Sequence, residues 1–409
     1  MKKIVVINDS IQSRGGATSL ARLSAQLYRK QGFEVTYITG AVDDGSLQQY
    51  GIKVVSLGAQ TLLRGTPLKS MVSGIHNRET VKSIGAWIAE NDDSQTAYHL
   101  HNWAQILSPS IFKALRDVET RTVMTCHDMF NTCPNGVLVN FKSMAPCELT
   151  PMSASCWLSQ CDKRNALQKY WRMLRQTRLK QLARFERSQI TFVCIQSGMQ
   201  DLFEKTGFTP ENITCITNPA TTFSTERVRA EDNKGFLFIG RINAGKGADI
   251  LAQVANDVDV PLTLIGEGEL AEDIAETYPK ITLPGFRNRE EISEYVQQAR
   301  ALVFPSRWRE PYGLVIAEAA LSGLPILISR PSLLSQQVSD LEFGEAFDPI
   351  RPDDLAARLT RWSSDNDLVR RYSENAFNRA NQICFSPTEW GDQYIQLLDQ
   401  KVRSAAKQA

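Results

Sequence analysis

Residues 309–329 read REPYGLVIAEAALSGLPILIS, and this stretch decides the fold. Pro311 and Gly313 precede a run of helix formers, Gly323 and Pro325 end it, and ILIS follows as an apolar run, so the order is loop, helix, buried strand. Such a helix aims unpaired N–H groups and the positive end of its dipole out of the loop, a setting suited to phosphate. Gly313 lets a ligand approach the backbone. Glu318 lies one turn beyond Leu314 on the same helical face, where a carboxylate can accept hydrogen bonds from a ribose diol. Glu310 sits in the loop, near whatever the phosphate carries. The plainer alternative makes the two glutamates a capping charge and a solvated helix charge; against it, Glu318 is flanked by VIA and AAL.

Outward from this stretch the same alternation recurs. KKIVVI, FEVTYI, AYHLH, RTVMT and ITFVCI are short apolar runs, with helical periodicity over 17–31, 104–117 and 197–206. The pattern restarts near Gly235 as GFLFIG, PLTLIG, KITLPGF, RALVFPS and LPILIS. Two parallel α/β sheets are expected, joined by the polar stretch 219–234. The assignment is residues 1–218 for an N-terminal domain, 219–385 for a C-terminal one, and 386–409 for a terminal helix with Trp390, Tyr394, Leu397 and Leu398 to bury. A length of 409 residues accommodates two cores, and a net charge of +1 singles out no charged partner. The opening apolar run is too short for a secretory signal, and the longest one is broken by Glu318, Gly323 and Pro325, so a cytoplasmic chain without a membrane span is expected.

A second phosphate-binding candidate is GFLFIGRINAGKGADIL, residues 235–251, where a strand ends in a glycine-rich turn before a helix starting near Ala248. Arg241 and Lys246 on that turn can neutralise a diphosphate and stabilise it as a leaving group. The string departs from the Walker A pattern at Gly247, which replaces the magnesium-binding hydroxyl. Lys246 taken alone reads equally as a solvated loop lysine. Gly15 and Gly16, ahead of the helix ATSLARLSAQLYRKQ, are a weaker candidate that reads equally as a helix start.

Together these strings resemble the retaining GT-B glycosyltransferases of family 4, of the type that assembles bacterial polysaccharides. The matching pieces are GGA at 15–17, LHN at 100–102, TCHD at 125–128, GR with KG at 240–247, PGF at 284–286, and EPYGLVIAEA with GLP at 310–325. The resemblance implies an α/β GT-B fold of two facing Rossmann-like domains and a C-terminal helix crossing back to the first. It makes Arg241 and Lys246 the diphosphate-binding cations, Glu318 the ribose ligand and Glu310 a contact to the donor sugar. Amides at Gly313, Leu314 and Val315 would hold phosphate or sugar hydroxyls. Phe286 would lie near the base, and His127, with Asp128 beside it, would be the active-site histidine. The implied reaction moves a hexose-like sugar from a nucleotide diphosphate sugar, with retention and without a required metal or other cofactor. Front-face attack by the acceptor hydroxyl, its proton passing to the leaving phosphate, is the expected route. The alternatives are a sugar-nucleotide epimerase of the same fold and a non-catalytic nucleotide-sugar-binding protein.

Three features stand outside this reading. Cys133, Cys147, Cys156 and Cys161 lie in one loop and are weak candidates for a structural zinc site, none of their spacings being CxxC. Residues 163–189 read as a basic amphipathic helix, either a solvated cationic face or a peripheral contact with the inner face of a membrane, supporting a saccharide or lipid-linked acceptor. Nucleic acid is not expected. The DVD and DND strings at 257–259 and 365–367 read as turn and capping residues. Acceptor-shaping side chains are expected within 9–18, 60–76 and 128–160.

Overall fold

Strand succession is the same in both sheets of the protein. The computed structural model describes residues 1–12, 15–62 and 66–408, apart from the side chains of 67–69 and 408. The first sheet holds β1 (Lys3–Asn8), β2 (Glu34–Thr39), β3 (Lys53–Ser56), β4 (Thr96–Leu100), β5 (Thr122–Cys126), β6 (Thr191–Cys194) and β7 (Ile213–Cys215), in spatial order β3-β2-β1-β4-β5-β6-β7. The second holds β8 (Gly235–Ile239), β9 (Leu262–Ile265), β10 (Thr282–Gly285), β11 (Ala299–Phe304), β12 (Ile326–Ser329) and β13 (Gly344–Phe347), in order β10-β9-β8-β11-β12-β13. Every pairing within them is parallel, for example Ile7 with Leu100 and Leu237 with Leu302. Parallel strands need both faces covered, which is why β4, β5 and β11 are buried along their whole length. In each sheet the succession reverses beside the first strand, between β1 and β4 and between β8 and β11. Doubly wound sheets open their ligand crevice at that point, outside the carboxyl ends of the strands.

Five helices matter for the site: α1 (Gly16–Lys30), α2 (Ala166–Ala183), α3 (Ala248–Asp257), α4 (Leu314–Leu321) and α5 (Pro387–Gln408). The terminal helix α5 buries Trp390, Tyr394, Leu398 and Val402, one stripe at four-residue spacing, while Leu397 is half-buried. The stripe packs on α1, β4 and β5; the Tyr394 hydroxyl lies 2.7 Å from Thr125 Oγ1, and Asp399 pairs with the amino terminus at 3.3 Å.

Contacts divide the chain into one unit of Met1–Gly136, Leu149–Thr217 and Pro387–Ala409, and another of Val137–Glu148 and Asn218–Ser386. The sequence assignment placed all of 1–218 in the first domain. Residues 137–148 depart from it: a small antiparallel hairpin, pairing Val139 with Pro146, groups with the second unit. Another departure is the helix expected over 104–117. Ser108 takes φ 60° and Pro109 follows, so helix is confined to Ile111–Ala114 with a 3₁₀ turn at Arg116–Arg121.

Candidate functional site

In the second unit the loops after β8 and β11 flank the point where strand order reverses. Asn243 caps the turn Ala244–Lys246, its Oδ1 accepting from Lys246 N at 2.9 Å. Gly247 then takes φ 75°, and a Cβ there would stand 2.1 Å from the Pro305 carbonyl oxygen, so the two loops are in direct backbone contact. This contact brings Lys246 to Glu310 across 64 residues of sequence: Nζ donates to Oε1 at 2.5 Å, and Ser306 Oγ donates to the same oxygen at 3.1 Å. The ammonium also lies 5.1 Å from the Trp308 ring centroid and 5.9 Å from that of Phe304. Arg241, one residue past the strand-end Gly240, is exposed and makes no ion pair among the described residues.

Gly313 caps α4 with φ 79°, the conformation expected of it, and Leu314 and Val315 occupy the first turn, whose N–H groups have no intrahelical acceptor. Glu318 is already engaged. Arg289 NH1 donates to its Oε1 at 2.6 Å while NH2 donates to Thr221 O at 2.6 Å, and burial raises the Glu318 carboxyl above its ordinary range, with Arg289 acting against it. Phe286 follows the edge strand β10 and is 70% exposed. Sequence reading passed over Arg289 and Trp308. It also missed Tyr312, buried, whose hydroxyl lies 2.7 Å from Ile383 O and 3.2 Å from Asn218 O, tying the loop after Glu310 to both ends of the second unit.

In the first unit His127 follows β5 and joins a stack that the sequence reading did not foresee. Its Nε2 lies 2.8 Å from His101 Nδ1, with stacked rings 5.1 Å apart at their centroids; the His101 and His99 rings are tilted by 40° at 4.1 Å, and His99 stacks on Tyr394 at 4.6 Å. The signal was the alternation in AYHLH, which puts His99 and His101 on one face of β4 beside the strand ending in TCHD. Burial pushes His99 and His127 down to about 3, and His101 well below the ordinary imidazole value. Burial also raises Asp128 to about 6, Arg175 acting against it. Asp9 accepts backbone N–H groups of Gln105, Ile106 and Leu107 at 2.6–2.9 Å, fixing the loop after β4 to the end of β1. Gly15 is extended rather than left-handed, and a Cβ on it would meet nothing within 4 Å, so its own backbone does not require glycine. Of the expected acceptor-side stretches, residues 13, 14 and 63–65 lie outside the described residues.

Two Rossmann-ordered sheets with these loops can be set against known proteins. A sucrose-phosphate synthase of Thermosynechococcus elongatus superposes over 99% of this chain and 100% of its own, with TM-score 0.71 and 18% identity. The Anabaena protein HepE in complex with UDP does so over 98% and 100%, with TM-score 0.69 and 18% identity. The fold is GT-B. Residues 221–379 match the family Glycosyl transferases group 1, which places the donor-candidate loops within that domain. An uncharacterized glycosyltransferase of Methanocaldococcus jannaschii is 29% identical over 144 residues, 34% of this chain and 41% of that protein. The chain spans 41%, 43% and 42% of the length of three of the curated relatives it matches.

The GT-B frame leaves three expectations to correct. Cys133, Cys147, Cys156 and Cys161 form no ligand set: among the described residues no group of three or more Cys, His, Asp or Glu is placed to hold a metal. Cys147 lies in the hairpin of the second unit, while Cys161 Sγ accepts from the buried Lys169 Nζ at 3.1 Å and Cys133 Sγ lies 3.2 Å from Asn135 Oδ1. The cations of 163–189 are not all on a solvated face, although Lys163, Arg164, Arg184 and Arg187 are exposed. Lys169 and Arg175 are buried, Arg175 donating to Gly74 O at 3.0 Å, whereas Leu167, Tyr170 and Leu174 are exposed. The hairpin 137–148 belongs with the donor-candidate loops because Phe141 meets Trp308 edge-on at 6.4 Å and Glu148 pairs with Arg309 at 2.7 Å.

Proposed function

We propose that this GT-B chain is a retaining glycosyltransferase that moves a sugar from a nucleotide diphosphate sugar to an acceptor hydroxyl. The observation carrying the proposal is the Lys246–Glu310 pair set beside exposed Arg241 at the reversal point of the second sheet. In the unliganded chain Glu310 neutralises Lys246; a diphosphate takes over that cation together with Arg241 and frees Glu310 for hydroxyls of the donor sugar. Glu318 exchanges Arg289 for a ribose diol. Transfer breaks the bond from the anomeric carbon to phosphate and forms the bond to the acceptor oxygen on the same face. The acceptor proton passes to the leaving phosphate oxygen, and Arg241 and Lys246 supply the positive charge without a required metal.

A lipid-linked acceptor in polysaccharide or glycolipid assembly is the second half of the proposal. It rests on an apolar surface of the first unit. Leu158 is 80% and Leu167 71% exposed; Tyr170 stacks on Trp157, and Trp171 Nε1 donates to Met71 O at 2.9 Å, continuing the surface to exposed Met71 and Val72. Exposed Lys163 and Arg164 at its rim complement anionic headgroups. No described helix is long and apolar enough to cross a membrane, and the contact proposed is a peripheral one.

Calorimetry with UDP-, GDP- and ADP-sugars on wild type, Arg241→Ala and Lys246→Ala tests the donor site, and NMR of the product anomeric proton tests retention. Donor consumption without acceptor would move the reading to an epimerase, and tight binding without turnover to a binding protein. Cosedimentation with phosphatidylglycerol vesicles, lost in Leu167→Asp/Leu174→Asp, tests the membrane contact.

A further inference from the structure

The hydrogen bonds behind His127 determine which of its nitrogens carries the proton. Ser24, on α1, has one hydroxyl proton, and its Oγ donates it to Ala21 O at 2.8 Å. Toward His101 Nε2, 3.2 Å away, the same oxygen can therefore only accept, so Nε2 of His101 bears a hydrogen. A neutral imidazole protonated at Nε2 has its lone pair on Nδ1. That atom lies 2.8 Å from His127 Nε2, which must donate. The lone pair of a neutral His127 is then on Nδ1, which makes no hydrogen bond among the described residues, and the ring is half-buried at the carboxyl end of β5.

We propose that Ser24 and His101 are positioning residues that hold His127 as the Nε2–H tautomer, so that its Nδ1 is a fixed hydrogen-bond acceptor for a ligand hydroxyl. The inference rests on the glycosyltransferase reading for the identity of the hydroxyl, but not for the tautomer. The surroundings keep the acceptor neutral. His99 and His101 face His127 from β4, Tyr28 reaches His99 Nδ1 at 2.8 Å from α1, and Tyr394 stacks from α5. A charge on one imidazole is opposed by burial, and His99 and His101 are further disfavoured by the neighbouring imidazoles. Asp128, next in the chain, is the nearest carboxyl in sequence; with Asp9 and Arg175 it forms a separate electrostatic group. The arrangement selects a donor O–H and disfavours a deoxy sugar, whose carbon leaves Nδ1 unpaired.

The test is the nitrogen chemical shifts of the histidine rings in the full-length protein labelled with ¹⁵N-histidine. Wild type is expected to show His127 as Nε2–H from pH 5.5 to 8.5. His101→Leu removes the acceptor while keeping the ring buried, and His127 should become a mixture of the two neutral tautomers. His101→Gln, whose side-chain carbonyl can accept from Nε2–H, should restore the wild-type pattern. Ser24→Ala, a mild change, should shift both rings toward mixtures with the fold intact by circular dichroism. A wild-type His127 protonated at Nδ1, or a pattern unmoved in both Ser24→Ala and His101→Leu, overturns the proposal. UDP-glucose titration supplies the functional arm: affinity should be flat over that pH range in wild type and fall at least threefold in His101→Leu, whose His127 no longer presents a fixed acceptor. Failure of UDP-glucose to bind wild type, with the nitrogen pattern as expected, counts against the donor reading and leaves the tautomer assignment standing.

Discussion

Replacing Glu310 by glutamine should move binding and turnover in opposite directions. The substitution keeps the side chain's shape and its contact with Ser306 but removes the charge that holds Lys246 at 2.5 Å. With Lys246 24% and Glu310 13% exposed, the pair is partly screened, and releasing it is worth about 1 kcal/mol, the upper end for exposed pairs. UDP, which carries the diphosphate but no sugar, then meets an unclaimed cation and one carboxylate fewer. Its affinity should rise roughly fivefold, the equivalent of about 1 kcal/mol. Transfer loses a group that contacts the sugar as charge develops and should fall about 10²–10³-fold. Calorimetry with UDP and a coupled assay of UDP release read the two effects separately. Weaker UDP binding in Glu310→Gln would refute the reasoning, because it would make Glu310 the scaffold that aims Lys246 rather than its competitor.

Other expectations follow from packing and titration. Gly247→Ala forces a side chain into φ 75° and onto the Pro305 carbonyl; it should destabilise the second unit by at least about 2 kcal/mol in urea unfolding and abolish UDP binding. Trp390→Ala empties the α5 stripe and should lower the stability of the first unit by about 3–5 kcal/mol, while Tyr394→Phe, which loses one hydrogen bond to Thr125, should lower it by about 1 kcal/mol. Acid should weaken the first unit. His99, His101 and His127 are held below their unfolded value, so the stability they contribute is present above about pH 6.5 and lost as pH falls toward about 3. Asp128, raised to about 6, opposes this between about pH 4 and 6, since its neutral form is the one the fold favours. Three histidines outweigh one aspartate, and the melting temperature should drop from pH 6.5 to 4.5, less steeply in His99→Phe.

Much of this architecture was legible because it is written locally. Alternating apolar runs and helical periods announced two parallel sheets, and Pro311, Gly313, Gly323 and Pro325 bounded α4. Trp390 and Tyr394 announced a helix with a face to bury. What escaped depends on contacts between distant segments. No local pattern says that Lys246 meets Glu310, that Arg289 occupies Glu318, or that the rings of His99, His101 and His127 come together, since those follow from strand order and register. Part of the polarity of α2 escaped for a related reason: counting its cations could not show that Lys169 and Arg175 turn inward to carbonyls and a sulfur while Leu167 and Leu174 are exposed.

The division of the chain also bears on the order in which it is made. The first unit begins at Met1 yet is completed only by Pro387–Gln408, and its run is interrupted at Val137–Glu148 by a hairpin belonging to the other unit. During synthesis the surface that receives Trp390 and Tyr394 is translated more than 200 residues before them and stays uncovered throughout the making of the second sheet. A ribosome stalled near residue 385 therefore presents a second unit whose sheet is whole and a first unit still lacking its last helix. The first unit cannot complete its packing before that helix is made, so a stop codon at Pro387 is a lesion of the first unit rather than of the second.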